Sequence, residues 1–588
     1  MDVKSRGDAV SAACGRQPFD VLLSGGTIVD VGTGELRAAD VGIVGPWIAS
    51  VHPRGSRRDA GEVVDVAGRY VAPGFIDCHV HFESSMLTPA SFAAAIAPHG
   101  TTTVFCDPHE LANVTGLDGV RYAIEASRDL PVRFLFQAPS CVPPAPGLES
   151  SGADFFGVEI AEMLIWPEVL GVAEVMDMRG VLNRSPRMVA IVEAGLRSGK
   201  LVEGHAFGLT GPDLQGYLAA GITSDHEITS AELALERLRA GMTVELRGAI
   251  EHILPEVVEG LNALPTIPPH LTLCTDDVFA HVLQTEGGMD YLLRRLIHLG
   301  LEPVSAIRLA TLNAAYRLGR TDLGAVAAGR RADLVILTDL AEVTVEQVYT
   351  GGHRVAAAGQ MLQDVRSLGG SPPLGTTKVA AMTADDFRFR IPDVNARTAT
   401  VRGMSGVRFT RLREFDVKVE DGFAVPPAEC VVQVAVHRHG RIPAIPQVAF
   451  VADWGRWDGA VATTVSHDTH NLVIFGREPS DMAAAANAVI ASGGGVAVAA
   501  GGKLRAIVEL PIAGLLSDRP ADEVAVEQRR LEAAATEVAE FSPLYHRPLF
   551  QVMAASLACN PGPHLTDIGL ADGTTGELVQ TIVTVGSR

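Results

Sequence analysis

Between about residue 71 and residue 320 the chain alternates short apolar or β-branched runs with amphipathic stretches, and this alternation restricts the fold more than any other feature. Candidate strands fall at 75–80, 101–106, 132–137, 170–175, 201–205, 222–226, 242–246 and 270–275. Helical stretches lie between most of them, for example 185–199 and 230–240, the latter with Leu233, Leu235 and Leu238 as its apolar residues. Gly100, Gly199, Gly221 and Gly241 each stand just before the next strand, where a helix end favours a residue that tolerates a left-handed backbone. Eight strand–helix units in about 250 residues is the size of a closed parallel barrel. The expected class is therefore α/β, with a (β/α)8 TIM-type barrel over residues 71–320.

The flanks read differently. Residues 20–70 hold short runs such as Val21–Leu23, Ala39–Val44 and Val63–Val66, separated by Ser24-Gly25-Gly26 and Gly32-Thr33-Gly34. A β unit of that size buries little core alone. It is expected to pair across the barrel with residues 321–365, whose runs are Ala332–Leu337, Val343–Tyr349 and His353–Ala357, giving a small β-sandwich. Residues 366–384, with Gly369-Gly370-Ser371-Pro372-Pro373, read as a linker. Residues 385–588 read as a C-terminal α+β domain, with strands near 431–437, 447–452, 471–475 and 504–510 and helices near 480–491 and 522–539. Residues 1–19 are expected to be a loose extension.

Composition excludes several partners. The net charge of -21 opposes binding to nucleic acid or an anionic membrane, and leaves a small neutral or cationic ligand as the natural partner. No apolar run approaches the roughly 18 residues that span a bilayer, and the first 20 residues have no apolar core of a signal peptide. The seven cysteines are odd in number, scattered and without a Cys-x-x-Cys pair, which points to reduced thiols in a cytoplasm.

Chemistry gathers where a barrel places its active site, at the carboxyl ends of the strands. His79 and His81 end the first candidate strand, and their spacing sets both on one strand face. Asp107, His109 and Glu110 follow the second; Glu174 ends the fourth, His205 the fifth, His226 the sixth, and Asp276 and Asp277 the eighth. His79, His81, Glu174, His205, His226 and Asp276 suit one or two divalent transition-metal ions, and without cysteine among them they permit zinc, manganese or iron(II).

The constellation resembles the amidohydrolase superfamily, and the lead-in Pro73-Gly74-Phe75-Ile76-Asp77-Cys78-His79-Val80-His81 is similar to that group's usual one. Further motifs resemble the bacterial adenine deaminases: His79-Val80-His81-Phe82-Glu83-Ser84-Ser85, Asp107-Pro108-His109-Glu110, Gly204-His205-Ala206, Ser224-Asp225-His226-Glu227 and Cys274-Thr275-Asp276-Asp277. In the C-terminal segment, Ser466-His467-Asp468-Thr469-His470-Asn471, Gly493-Gly494-Gly495 and Pro563–Leu570 agree. Many superfamily members bridge two metals with a carbamylated lysine. The barrel segment holds one lysine, Lys200, at the wrong end of its strand, so Glu174 is the expected bridge.

The resemblance implies hydrolysis of free adenine to hypoxanthine and ammonia. Asp276 is placed to hold the attacking water, take its proton and pass it to the leaving amine. Of the two neighbouring acids the resemblance picks Asp276, since adjacent residues of a strand face opposite ways. His205 or His226 instead polarises substrate if one metal is bound. Glu110, His109 and Glu83 are candidates either to stabilise charge on the purine or to support the metal ligands. Glu83, Ser84 and Glu110 are the expected substrate contacts, in a mouth that reads as crowded. His467, Asp468, His470 and Asn471 form either a capped turn or a lid over the site. The alternative function is another hydrolase of the superfamily, acting on a cyclic amide or an N-acyl substrate. A homodimer is expected.

Overall fold

The computed structural model describes residues 3–248, 252–407, 409–544 and 547–586. Eight parallel strands form the barrel: β1 Phe75–His81, β2 Thr101–Cys106, β3 Arg133–Ala138, β4 Val169–Val175, β5 Leu201–Gly204, β6 Ser224–Asp225, β7 Thr243–Arg247 and β8 Leu271–Cys274. The ladder from β1 to β5 is continuous, as is that from β6 to β8. Between β5 and β6, Thr223 N donates to Val202 O at 3.0 Å and Gly204 N to Ser224 Oγ at 3.2 Å. On the other side Asp276–Asp277, just past β8, pairs with Val80 and His81 of β1 and closes the ring. β6 is shorter than the expected 222–226, and the hydroxyl of its Ser224 accepts from Gly204 N of β5.

The two flanks pair with each other. Leu334–Asp339 lies antiparallel to Tyr70–Pro73, with Leu334 opposite Pro73, and so joins both ends of the barrel segment in one seven-stranded sheet. A second, four-stranded sheet packs on it through Leu23, Ile28, Val41, Ile48, Leu334 and Ile336, all fully buried. From Val3 onward the N-terminal residues are not loose. Val3–Ala13 is a helix whose Ala9 and Ala12 pack with Phe19, Leu22 and Trp47, while Ser5 Oγ accepts from Trp47 Nε1 at 2.9 Å.

The C-terminal segment is built on a ten-stranded sheet, with the helices Pro479–Ala491 and Ala521–Val538. It seats on the barrel mouth. Gln528 Nε2 donates to Ser85 O at 3.1 Å, Ser517 N to Met86 O at 2.9 Å, and Asn471 Nδ2 to Ser150 O at 2.8 Å. One apolar core runs through both parts without a break, from Phe82 and Phe134 to Trp454 and Leu531. No helix among the described residues is long and apolar enough to cross a membrane, and all seven cysteines are free thiols.

Candidate active site and metal centre

β1 is buried along its whole length, so the two histidines at its end emerge inside the ring. Their Nε2 atoms lie 3.0 Å apart. His81 Nδ1 sits 3.0 Å from the carbonyl oxygen of Asp107, which accepts its proton and leaves the lone pair on Nε2. Glu174, at the end of β4, is the hub. Its Oε1 is 3.3 Å from His81 and 3.8 Å from His79, and its Oε2 is 2.7 Å from His205 Nδ1 and 3.2 Å from His226 Nε2. Asp276 Oδ1 lies 3.4 Å from His81 and 3.7 Å from His79. All six residues are buried.

The strand ends that carry them are braced. Tyr217 Oη donates to Val175 O at 2.6 Å and accepts from His205 N at 3.0 Å, tying the end of β4 to that of β5. Behind β6, Asp225 accepts from Ala206 N at 2.9 Å and from the buried Arg237 Nε at 2.5 Å. Lys200 is far from this work. Its Nζ donates to Leu164 O and Val169 O, at the opposite end of the strands.

These donors fit divalent cations. Imidazole nitrogens and carboxylate oxygens come together in overlapping sets within 4.8 Å: His79, His226 and Asp276; Glu174, His205 and His226; His81, Asp107, His109 and Glu174. His109 Nε2 and His226 Nδ1 are buried without a hydrogen-bond partner, so polar capacity is left over at the centre. The charge pattern is consistent with it. Burial opposes ionised carboxylates, yet His226 and its neighbours hold Glu174 well below the usual range, and Arg247 does the same for Asp276.

A second cluster stands beside the first and comes from both parts of the chain. Glu110, at the start of the helix His109–Thr115, has His467 Nδ1 3.0 Å from Oε1 and His470 Nε2 in contact with Oε2. Asp468 Oδ1 lies 3.8 Å from His109 Nε2. Of the two readings of residues 467–471, the geometry therefore favours the lid. Arg438 holds that loop from behind. It is fully buried, donates to His470 O and to Ala513 O, and burial pushes its pKa down to about 9.

A cavity of about 700 Å³ opens over both clusters and continues against the C-terminal domain, where Met404, Trp454 and Phe550 line it. That volume corrects the expectation of a crowded mouth, because the C-terminal sheet bridges over the loops instead of filling between them. Two expected substrate contacts do not line the cavity. Ser84 Oγ is committed to Asp277 at 2.5 Å, and Glu83 is buried beneath Leu111, its carboxyl raised to about 8 by burial and by Glu110. Asp276 and Asp277 both line it, against the expected opposite faces, because Asp276 has φ +58° and breaks the pleat. Their partners still differ, the histidine pair for Asp276 and Ser84 for Asp277.

Sequence reasoning missed Arg247. It ends β7, contacts Asp276 Oδ2, and lies 2.7 Å from Glu227. A lone arginine after a strand carries no spacing signal, so only the expectation that Asp276 needs a partner could have found it.

Comparison with known proteins agrees with this geometry. A model described as the amidohydrolase family matches residues 70–355, and one described as the adenine deaminase C-terminal domain matches residues 408–577. An adenine deaminase of Klebsiella pneumoniae (strain 342) is 54% identical over 576 residues, covering 98% of this chain and 95% of that protein. Adenine deaminase 2 of Rhizobium meliloti (strain 1021) is 52% identical over 583 residues, covering 99% and 98%. A more distant relative, an adenine deaminase of Desulfatibacillum aliphaticivorans, is 37% identical over 569 residues, covering 96% and 97%. Together with the buried donor sets, these matches support divalent metal binding at this site.

Proposed function

The chain belongs to the adenine deaminases of the amidohydrolase family, and on that premise we propose that it hydrolyses free adenine to hypoxanthine and ammonia at a centre of two divalent cations. His79, His81, Glu174, His205, His226 and Asp276 would hold them, with Glu174 the carboxylate that would serve both. The observation that carries this reading is the convergence of four imidazoles on the two oxygens of one carboxylate, in a ring whose only lysine is turned away. Manganese, iron(II) and zinc all suit such donors.

When bound, the cations supply a water acidified towards neutral pH and neutralise developing negative charge. The protein does the rest. Asp276 takes the proton of the attacking water and returns it to the amine nitrogen as the C6–N6 bond breaks. Arg247 keeps that carboxylate ionised and aimed. His109 is held by Asp107 at 2.7 Å; burial works against its charge, yet Asp107 pushes it up to about 10, so it faces the centre as a donor. Glu110 lies at the substrate side of the cavity.

The test is metal analysis of purified protein beside ammonia release from adenine, adenosine and guanine, with hydantoins and acylated amines as counter-substrates. Two equivalents of metal and turnover of adenine are expected. Fully metallated protein that releases no ammonia from adenine removes the reading. We also propose a cytoplasmic homodimer. Free thiols support the first part, and exposed Val158 and Ile165 on and beside the helix Gly157–Leu164 support the second. Light scattering showing only monomer would refute the dimer.

A further inference from the structure

Deamination at C6 has a second demand besides the attacking water. As the water oxygen bonds to C6, the electrons of the C6–N1 double bond move onto N1, and an acid must meet them there. Asp276 is engaged with the water, and Arg247 holds its other oxygen. Glu110 faces the imidazoles of His467 and His470, and although burial opposes its charge they hold it well below the usual carboxylate range, so it has no proton to give. Glu83 and Ser84 do not reach the cavity.

We propose that His467, carried to the barrel mouth by the C-terminal domain, is the acid that protonates the purine ring nitrogen beside C6. The inference rests on the adenine reading above. Glu110 Oε1 and Asp468 Oδ1 face His467 Nδ1, at 3.0 and 3.6 Å, which leaves Nε2 as the nitrogen turned to the cavity that His467 lines. Glu110 and His467 thus form a carboxylate–imidazole pair: the carboxylate fixes the ring and the far nitrogen does the chemistry. Among the described residues, the charged and titratable groups around His467 are Glu110, Asp468, Asp277 and, ring to ring at 5.7 Å, His470. Burial opposes an imidazolium there, but Glu110 and Asp277 hold its pKa well above the ordinary value. Phe550, with its ring 5.5 Å away, walls the pair on the side of the C-terminal domain.

The protons balance. One water proton passes through Asp276 to N6, which leaves as ammonia. His467 gives its Nε2 proton to N1, where hypoxanthine keeps it. The second water proton, released as the C6 carbonyl forms, restores the imidazolium. Glu110 is then a positioning residue and His467 a catalytic one.

The experiment uses full-length, metal-loaded protein. His467→Ala should lower kcat for adenine at least about 100-fold, the usual worth of such an acid, while KM changes less than about threefold and metal content is unchanged. Added imidazole should restore at least tenfold of the loss. Glu110→Gln added to His467→Ala should cost little more, since the two act as a unit. If the alanine variant does not fold, His467→Gln, which keeps a donor but no acidic proton, carries the same comparison. A kcat within about threefold of wild type, a loss that follows loss of metal, or a loss that imidazole does not restore makes His467 an anchor of the lid and overturns the proposal. Wild-type turnover separates the two readings. No ammonia from wild type overturns both, whereas an active wild type with an indifferent His467 variant overturns only this one.

Discussion

Asp276→Asn is the sharpest test of the catalytic assignment, because the backbone at that position limits which substitutions report on chemistry alone. Asp276 has φ +58°. Asparagine visits that region readily, whereas an apolar side chain adds about 1–2 kcal/mol of strain. Asparagine also keeps the shape of the side chain and removes only its charge and its ability to take a proton. Asp276 Oδ1 stands 3.4 Å from His81 and 3.7 Å from His79, so the change acts at the centre itself. Losing a positioned acid–base group costs about 10²–10⁴ in kcat, which at 1.36 kcal/mol per decade is about 3–5 kcal/mol of barrier. Asp277→Asn is the matched control. Asp277 accepts from Ser84 Oγ at 2.5 Å, an amide oxygen can accept that bond as well, and Glu110 still holds the His467 imidazolium when the Asp277 charge is removed, so its loss should be the smaller of the two and stay within about tenfold. Ammonia release under saturating adenine is the assay, with metal measured on the same samples. A larger loss for Asp277→Asn than for Asp276→Asn, or a fully metallated Asp276→Asn protein within tenfold of wild type, refutes the reasoning.

Three further outcomes are expected. Arg247→Met leaves Asp276 and Glu227 without their buried cation, so chelator-treated protein should lose about 3–5 kcal/mol and metal-loaded protein clearly less; equal losses in paired thermal melts would refute this. Glu149 is buried, with Ala145 N donating to it at 2.8 Å, and burial raises its pKa well above the ordinary value for a glutamate; the folded state therefore keeps a proton that the unfolded chain releases, and stability falls as pH rises from the ordinary carboxylate range towards the folded pKa. Glu149→Gln should thus gain on wild type from pH 5 to pH 8 in urea midpoints, and parallel profiles would count against it. Adenine should be preferred over adenosine in kcat/KM, not because the cavity of about 700 Å³ is too small for a sugar but because groups that pair the bare N9 edge are left unpaired by a nucleoside, so equal values would overturn the specificity.

Much of the barrel was legible because its chemistry is local. An apolar run and a ligand at the end of that run lie within a few residues of each other, and His79, His81, Glu174, His205 and His226 could each be placed that way, with a helix-ending glycine, Gly199 or Gly221, marking the start of the run for the last two. Asp276 was found, but its left-handed backbone was not, since nothing in Thr275-Asp276-Asp277 distinguishes a strand that continues from one that kinks. The helix Val3–Ala13 was missed because Gly7, Ser5 and Ser11 dilute its apolar face. Arg247 and the partners of Glu110 were illegible for another reason. Arg247 finds its partners 29 and 20 residues away on other strand ends, with no spacing signal to mark them, while Glu110 meets His467 and His470 across more than 350 residues, and the sequence around His467 serves a capped turn as well as a lid.

Those contacts also set an order of events on the ribosome. Every ligand of the proposed centre has been made by residue 276, and the barrel by about residue 320, yet His467 and His470 are synthesised about 150 residues later. At about 5–20 residues per second, a nascent barrel spends about 7–30 s with its mouth open to the surrounding solution. In that interval an ion meets Glu174 through an uncovered ring, and afterwards it must pass beneath the histidine loop and the C-terminal sheet. Metal present throughout translation should therefore load faster than metal supplied after release, and equal rates would show that the loop is no barrier to an ion.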